Sequence, residues 1–187
     1  SSLIDKGPLT RRELCLKTQL SWAAISKTVF QLQKRHLLSK NENLIKSPRG
    51  RRPDRIFFDE TTALAGISLD TNCVTGILIN LAGKEISRLR KNLSPDDDPV
   101  VTIKEVFKEL SSDKKRILSL GISFPGFIDS EKKKVIRSVW FSQIRGRDLA
   151  FEISESCEFR NPIIVERNAI CDITYDYVFN RFRNDAL

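Results

Sequence analysis

Apolar residues near the start of the chain recur at helical spacing. Thr10 and Glu13 have the residue types and spacing of a capping box, which predicts a helix over residues 11–16 that loosens at 17–19. Ser21 is the next N-cap candidate, and the apolar stripe after it predicts a second, amphipathic helix. That stripe consists of Trp22, Ile25, Val29, Leu32 and His36. Two short helices joined by a tight turn form a helix-turn-helix pattern.

Short strands flank a basic turn after the second helix. Residues 37–40, 44–46 and 55–58 have strand character, and the turn before the last of them reads Ser47-Pro48-Arg49-Gly50-Arg51-Arg52-Pro53. A strand, a basic Gly/Pro-rich turn and a further strand are typical of the wing of a winged helix. Three arginines around one glycine, held extended by the flanking prolines, suit a narrow and electronegative minor groove. A solvated basic turn without a ligand is the alternative.

From about residue 61 the pattern changes to β-strands and then to alternating helices and strands. The predicted strands are 64–69, 74–81, 85–91, 117–122 and 162–166, and the predicted helices are 100–110, 148–157 and 169–182. This order predicts one lobe of an actin-type, ribonuclease-H-like α/β fold. We therefore divide the chain into a winged helix-turn-helix domain, 1–60, and an α/β domain, 61–187, which we expect to be incomplete.

The net charge of +8 is unevenly distributed along the chain. Residues 1–60 hold 13 Lys+Arg and 6 Asp+Glu, a balance of +7, whereas residues 61–187 hold 19 and 18, a balance of +1. A basic first third joined to a near-neutral domain is the asymmetry expected of a nucleic-acid-binding segment. On charge alone, a basic face without a partner is the alternative.

The outer face of the second predicted helix carries the side chains expected to read DNA. At 100° per residue, the side roughly opposite Ile25 carries Ala23, Lys27, Phe30, Gln31 and Lys34. In a helix-turn-helix the second helix enters the major groove and its N-terminal residues meet the base edges. Small alanines there can touch thymine methyl groups, and lysine or glutamine can donate to base or phosphate acceptors. The predicted DNA-binding residues are Arg11, Arg12, Ser21, Ala23, Ala24, Lys27, Gln31, Lys34, Arg49, Gly50, Arg51 and Arg52. An ordinary helical hairpin with a solvated basic face is the alternative.

The cysteines form no metal-binding pattern, and the chain has no membrane-spanning run. Cys15, Cys73, Cys157 and Cys171 are far apart, whereas zinc sites usually contain close ligand pairs. We expect inert, reduced thiols and a soluble cytoplasmic protein, because no leader or long apolar stretch occurs. The chain contains no methionine and stops after a predicted helix, so we expect it to be incomplete at both ends.

Several segments, taken in order, resemble the ROK family of sugar-responsive repressors and sugar kinases. The Gly-Arg-Arg-Pro wing is followed by Ala65-Gly66-Ile67-Ser68-Leu69-Asp70 and by Asn80-Leu81-Ala82-Gly83-Lys84. Gly121-Ile122-Ser123-Phe124-Pro125-Gly126-Phe127-Ile128-Asp129 is similar to the family's Gly-x-x-x-Pro-Gly-x-x-Asp segment. Val165-Glu166-Arg167-Asn168-Ala169 stands where the family has Val-Glu-Asn-Asp-Ala or a related sequence. The resemblance implies a repressor of sugar-metabolism genes, a homodimer or higher homo-oligomer that binds an operator in double-stranded DNA and responds to a sugar or sugar derivative. It also implies a bacterial cytoplasmic protein that is associated with the nucleoid.

Departures from the kinases of this family imply binding without turnover. The kinases carry Asp-x-Gly-Gly-Thr, whose bare backbone admits ATP phosphates, but Asp70-Thr71-Asn72-Cys73 contains no glycine. An asparagine, Asn168, replaces the aspartate that deprotonates the sugar hydroxyl, and an amide is not a usable base. The Asn168 amide can still form hydrogen bonds with a sugar. The sugar-binding residues that the resemblance implies are Gly126, Trp140, Glu166, Arg167 and Asn168.

Some of these assignments have alternatives. An aromatic side chain such as Trp140 is a core or interface residue as often as a sugar platform, and Arg167 can equally pair with a nearby carboxylate or block the pocket. Two other functions remain open: an active ATP-dependent sugar kinase with an added DNA-binding segment, and a ligand-independent DNA-binding dimer. No cofactor is expected within this chain, because any zinc site of the family would lie downstream of it.

Overall fold

The computed structural model describes residues 7–40, 55–129 and 134–177. The chain divides into two compact units, one made of residues up to Ala63 together with Ile79–Lys84 and the other of Leu64–Leu78 and the residues from Glu85 onward. No helix in the described ranges is long and apolar enough to cross a membrane. The predicted strand at 44–46 and the wing residues Arg49, Gly50, Arg51 and Arg52 lie outside the described residues.

The first unit combines two helices with a small antiparallel sheet. Its elements are β1 (Leu9–Thr10), α1 (Arg11–Thr18), α2 (Trp22–Lys34), β2 (Leu38–Lys40) and β3 (Arg55–Phe58). Strand β3 lies between β1 and β2 and is antiparallel to both. The buried side chains of the helices and strands form one apolar cluster, which consists of Leu9, Leu14, Ile25, Val29, Leu38 and Ile56. The two predicted helices and the strand at 55–58 are thereby confirmed.

Side-chain caps fix where both helices begin. The Thr10 hydroxyl accepts a hydrogen bond from the Glu13 N–H at 3.2 Å, and the Glu13 carboxylate accepts one from the Thr10 N–H at 2.7 Å. These bonds confirm the capping box, and the bond from the Thr10 N–H is the main reason that the pKa of Glu13 is lowered. Helix α1 ends at Gln19, whose left-handed backbone (φ 58°) turns the chain. The Ser21 hydroxyl then accepts from the Ala24 N–H and starts α2.

Two members of the predicted apolar stripe are not buried. Trp22 is 60% exposed, because it is the first helical residue of α2 and helical side chains point toward the N-terminus. Its indole therefore projects beyond the N-terminus of α2. His36 lies beyond the end of α2 at φ 54°, and its side chain is 66% exposed. The stripe that contributes to the core is thus shorter than the periodicity predicted.

The rest of the chain forms a five-stranded sheet with helices. The sheet contains β4 (Thr62–Leu69), β5 (Cys73–Asn80), β6 (Glu85–Asn92), β7 (Arg116–Phe124) and β10 (Ile163–Arg167), in the order β10-β7-β4-β5-β6. Strands β7 and β10 are parallel, with Phe124 opposite Arg167. A separate antiparallel pair consists of β8 (Gly126–Asp129) and β9 (Lys134–Ser138). The helices are α3 (Pro99–Ser111), α4 (Leu149–Ser156) and α5 (Asn168–Tyr175), and a 3₁₀ turn spans Ser142–Ile144.

One face of this sheet packs against α3. A Cβ added to Gly76 of β5 would lie 2.4 Å from Val106 and 2.9 Å from Leu110, so helix and strand are in close contact there. Because side chains alternate between the faces of a strand, Thr75 and Ile77 point to the opposite face of the sheet. The fully buried core side chains include Leu69, Leu78, Ile103, Leu110, Leu120, Ile122, Phe124, Leu149 and Ile153.

An ion cluster joins the starts of α3 and α4. The Asp98 carboxylate caps α3 by accepting from the Val100 N–H, and both of its oxygens accept from Arg147 Nη1 at 2.9 Å. Arg147 also donates to both carboxylate oxygens of Glu152, at 2.8 and 2.6 Å. The bonds to Arg147 lower the pKa of Glu152. This half-buried cluster fixes two helices against one another through charge-assisted hydrogen bonds.

The predicted strands and helices of this part are confirmed with small changes of bounds, and two features differ. The β8–β9 pair was not predicted, because its residues lack a clear apolar alternation. The last helix is described as Asn168–Tyr175, and residues 178–182 of the predicted helix at 169–182 lie outside the described residues.

Candidate DNA-binding surface and effector site

The outer face of α2 is exposed and basic. Ala23, Lys27, Gln31 and Lys34 are all exposed, while Ile25 on the opposite side is buried. Phe30 lies on the same outer face and is 55% exposed, with the Lys34 ammonium 4.8 Å from the centre of its ring. This contact is a cation–π interaction that orients the lysine. The structure therefore brings these predicted DNA-binding residues together on one surface.

The sequence around α2 is free of acidic residues. No Asp or Glu occurs at positions 14–41, which contain Lys17, Lys27, Lys34, Arg35 and Lys40. A phosphate backbone approaching this surface therefore meets no opposing carboxylate from this stretch.

The other predicted DNA-binding residues differ in how accessible they are. Arg12 is exposed and Arg11 half-buried on α1. Ser21 uses its hydroxyl as the N-cap, and Ala24 is half-buried beside it. Arg55, next to the predicted wing, donates to the Pro8 carbonyl oxygen at 3.4 Å. The predicted DNA-binding residues that are exposed in the described ranges therefore lie at the N-cap and outer face of α2 and at Arg12.

Asn168 lies where strand β10 gives way to helix α5. Its Nδ2 donates to the carbonyl oxygen of Leu69, the last residue of β4, at 3.3 Å. Its Oδ1 is buried and accepts no hydrogen bond within the described part of the chain. Because buried polar atoms are nearly always hydrogen-bonded, this oxygen is an acceptor suited to a ligand donor.

The Arg167 and Glu166 side chains form an ion pair, with Arg167 Nε 3.7 Å from Glu166 Oε1, so the pairing of Arg167 with a nearby carboxylate is confirmed. The Arg167 guanidinium lies 5.8 Å from the centre of the Phe127 ring. Glu166 Oε1 accepts from the Arg167 N–H at 2.8 Å. The Glu166 side chain also lines a cavity of about 370 Å³ on the sheet face opposite α3.

The cavity is mostly apolar, and sequence reasoning did not find it. The Ser123 hydroxyl donates to the Ser68 hydroxyl at 3.1 Å in its lining. Glu166 is the only predicted sugar-binding residue among the lining residues in the described ranges. A usable signal was present, since each serine is a polar residue within an otherwise apolar strand. Their meeting depends on the order of the strands.

Gly126 begins β8, and Trp140 lies two residues after the end of β9. Gly126 is opposite Ser138, whose hydroxyl donates to the Pro125 carbonyl oxygen at 2.8 Å and accepts from the Phe141 N–H at 3.3 Å. Trp140 lies in the turn that these bonds hold, and it is 63% exposed. A Cβ on Gly126 would lie 2.5 Å from the Phe124 ring and 2.6 Å from the Arg137 carbonyl oxygen. This glycine is therefore required by packing, whatever its role toward a ligand.

Two backbone N–H groups of the turn after β4 are already hydrogen-bonded. Asp70 Oδ1 accepts from the Thr71 N–H at 2.7 Å, and the Asp70 N–H donates to the Cys73 carbonyl oxygen at 2.8 Å. The Asn72 carbonyl oxygen accepts from the Leu93 N–H. A phosphate-binding turn needs free backbone N–H groups, and at Asp70 and Thr71 they are already bonded.

The thiols are all free, and they differ in burial. Cys73 is buried, whereas Cys15, Cys157 and Cys171 are half-buried. Burial raises the pKa of the Cys157 and Cys171 thiols, which keeps them in the unreactive protonated form near neutral pH. Within residues 7–40, 55–129 and 134–177, no group of three His, Cys, Asp or Glu side chains is placed to hold a metal ion.

Comparison with solved structures identifies the fold. A ROK family transcriptional regulator, a homolog of the E. coli MLC protein, is similar over 95% of this chain and 46% of its own, with a TM-score of 0.70 and 22% identity. The chain has the ROK fold. A ROK family glucokinase from Streptomyces griseus, in complex with glucose and AMPPNP, matches 63% of the chain and 36% of its own, with a TM-score of 0.54 and 17% identity. A putative N-acetylmannosamine kinase from Listeria monocytogenes matches 65% and 40%, with a TM-score of 0.55 and 15% identity.

The likeness differs in extent between the regulator and the kinases. The chain spans about half the length of the ROK regulator and less of each kinase. No protein-family model and no curated protein matches the sequence. The actin-type α/β lobe predicted from the order of strands and helices is confirmed as the ROK kinase-like fold.

Proposed function

We propose that this chain is the DNA-binding and sensor part of a ROK-type transcriptional repressor that acts in the bacterial cytoplasm. The observation that carries the proposal is the exposed, basic outer face of α2, which follows a capped helix α1 and a tight turn. The regulator with the ROK fold is similar over nearly the whole chain, including this unit, whereas the kinases match less than two thirds of it. In this proposal the first unit is a winged helix-turn-helix and α2 enters the major groove.

DNA binding through this face has a charge-matched test. Lys34 of α2 and Lys108 of α3 are both exposed lysines, and only Lys34 lies on the proposed DNA-binding face. Replacing Lys34 by Ala should weaken binding to all DNA sequences alike and reduce the log–log salt slope by about 0.9, the effect of one lost phosphate contact. Fluorescence anisotropy on labelled genomic fragments at several salt concentrations measures both quantities. Equal effects of Lys34→Ala and Lys108→Ala would contradict the proposal.

The wing and the dimer are further parts of the same proposal. Arg49, Gly50, Arg51 and Arg52 would enter the flanking minor groove, and a homodimer would place two α2 helices in successive major grooves of a palindromic operator. Replacing Arg51 and Arg52 by Ala should weaken operator binding at least tenfold. Unchanged affinity would remove the wing from the mechanism.

A sugar is the proposed effector, bound beside Asn168. The support is the buried, unpartnered Asn168 Oδ1 at the ends of β4 and β10. Trp140 reports on this region, and in a Trp22→Phe variant it is the only remaining tryptophan, because the chain has 2. A panel of sugars should change the fluorescence of that variant for at least one member. A flat response would favour the ligand-independent DNA-binding dimer.

We also propose that the chain does not phosphorylate sugars. The bonded N–H groups of Asp70 and Thr71 and the amide at Asn168 both support this. Without a general base, a contribution of roughly 10²–10⁴-fold to the rate would be missing. An ATP-turnover assay with the same sugars should remain at background, and measurable phosphorylation would favour the kinase alternative.

A further inference from the structure

Trp22 is an exposed aromatic residue at the start of α2. It is 60% exposed, although tryptophan is among the most buried residue types on average. The described residues give its indole no hydrogen bond or packed ring. It directly follows the N-cap Ser21, and its side chain projects past the start of α2.

The surroundings of Trp22 favour DNA as its partner. Ala23 beside it is exposed and small, and Lys27 is exposed one turn further along α2. The first turn of α2 contains no acidic residue, and the acid-free stretch at 14–41 extends to both sides. An apolar ring at the edge of a basic surface is complementary to DNA at the point where the N-terminal residues of a recognition helix meet base edges.

We propose that Trp22 contacts the C5-methyl group of a thymine and thereby determines one position of the operator half-site. Among the base edges exposed in the major groove, the thymine methyl is the apolar group available to an aromatic side chain. This inference rests on the proposed DNA-binding function. It adds a specificity residue that the periodicity had assigned to the core.

Replacing thymine by uracil tests the contribution of the methyl group to binding without changing the rest of the base. The unmodified full chain first selects its strongest sites from a random DNA library, and each thymine of the selected half-site is then replaced in turn by uracil. Uracil differs from thymine only by the missing methyl. Removal of one buried methyl should weaken binding about fourfold, which corresponds to about 0.8 kcal/mol.

Two variants make the result specific. In Trp22→Ala the difference between thymine and uracil at that position should disappear, whereas Phe151→Ala, which truncates an exposed aromatic side chain of α4 outside the proposed DNA-binding face, should retain it. Alanine is the best helix former, so circular dichroism should show that α2 is intact in both variants.

Each other outcome overturns the inference in a distinct way. If no uracil substitution changes the DNA-binding affinity of the unmodified chain, Trp22 does not contact a thymine methyl. The same holds if Trp22→Ala prefers thymine over uracil as strongly as the unmodified chain does. A changed sedimentation coefficient of Trp22→Ala with unaltered thymine preference would instead place Trp22 in a protein interface. Failure of the unmodified chain to enrich any DNA would refute the proposed function itself.

Discussion

Replacing Gly126 by Ala should destabilise the protein whether or not a sugar binds. The added Cβ would lie 2.5 Å from Phe124 Cε2 and 2.6 Å from the carbonyl oxygen of Arg137. The Phe124 ring is fully buried, and the carbonyl belongs to the backbone of β9, so neither can move aside at low cost. Overpacking of this kind costs about 1–3 kcal/mol, which lowers the folding equilibrium constant by roughly 5- to 150-fold.

Gly121, in the adjoining strand β7, supplies a matched control. A Cβ there meets no atom within 4 Å, and Ala is favoured over Gly inside a strand by roughly 0.5–1 kcal/mol. Gly121→Ala should therefore leave stability unchanged or slightly raised. Urea unfolding followed by circular dichroism, without sugar, compares the two variants. If Gly126→Ala unfolds like the unmodified protein, the packing argument is wrong, and a ligand role for Gly126 becomes the better explanation.

Three further predictions concern caps, charges and the amide at the end of β10. Thr10→Ala should cost about 1 kcal/mol of unfolding free energy, whereas Thr28→Ala, at an exposed position within α2, should cost much less in the same urea titration. Arg147→Met should lower the free energy of unfolding by about 1–3 kcal/mol near neutral pH. Because Arg147 lowers the pKa of Glu152 from its ordinary 4.5, that loss should shrink as the pH falls below 4.5. A loss of stability that does not change with pH would contradict the ion-cluster explanation. Asn168→Asp removes the Nδ2 group that donates to the Leu69 carbonyl oxygen of β4 at 3.3 Å. It should lower the free energy of unfolding by about 1–3 kcal/mol, and by less in acid than at pH 7. The variant should show no ATP turnover, and turnover above background would show that the protein lacks kinase activity only because the general base is missing.

Local sequence patterns predicted the helices and most strands, because the interactions that start and orient these elements join residues close together in the chain. The capping box of Thr10 and Glu13 joins residues three apart, and the apolar steps from Ile25 to Val29 span one helical turn. The same patterns misplaced Trp22, because periodicity gives the direction of a side chain but not whether another element covers it. They also missed the β8–β9 pair, whose strands are held by pairing to one another and not by an apolar alternation.

The candidate effector site was predictable in composition and not in geometry. The resemblance named Glu166, Arg167 and Asn168 as neighbours in sequence, but it did not show that Glu166 lines the cavity or that Arg167 lies between the Glu166 carboxylate and the Phe127 ring. The order of the strands brings the Ser68 and Ser123 hydroxyls together across 55 positions of the chain. No one-dimensional pattern specifies that distance.

Composition and periodicity were sufficient to predict most of the helices and strands, the actin-type lobe and the partition of charge into +7 and +1 about residue 60, because these follow from the order of residues along the chain. The folded structure was needed to show that Gly126 cannot carry a Cβ whereas Gly121 can, although both glycines belong to one motif. It was also needed to show that Asn168 Nδ2 donates to the Leu69 carbonyl oxygen, 99 positions away, while Asn168 Oδ1 accepts no hydrogen bond from the described residues. Both results depend on which strands become neighbours, and packing of the whole fold makes that choice.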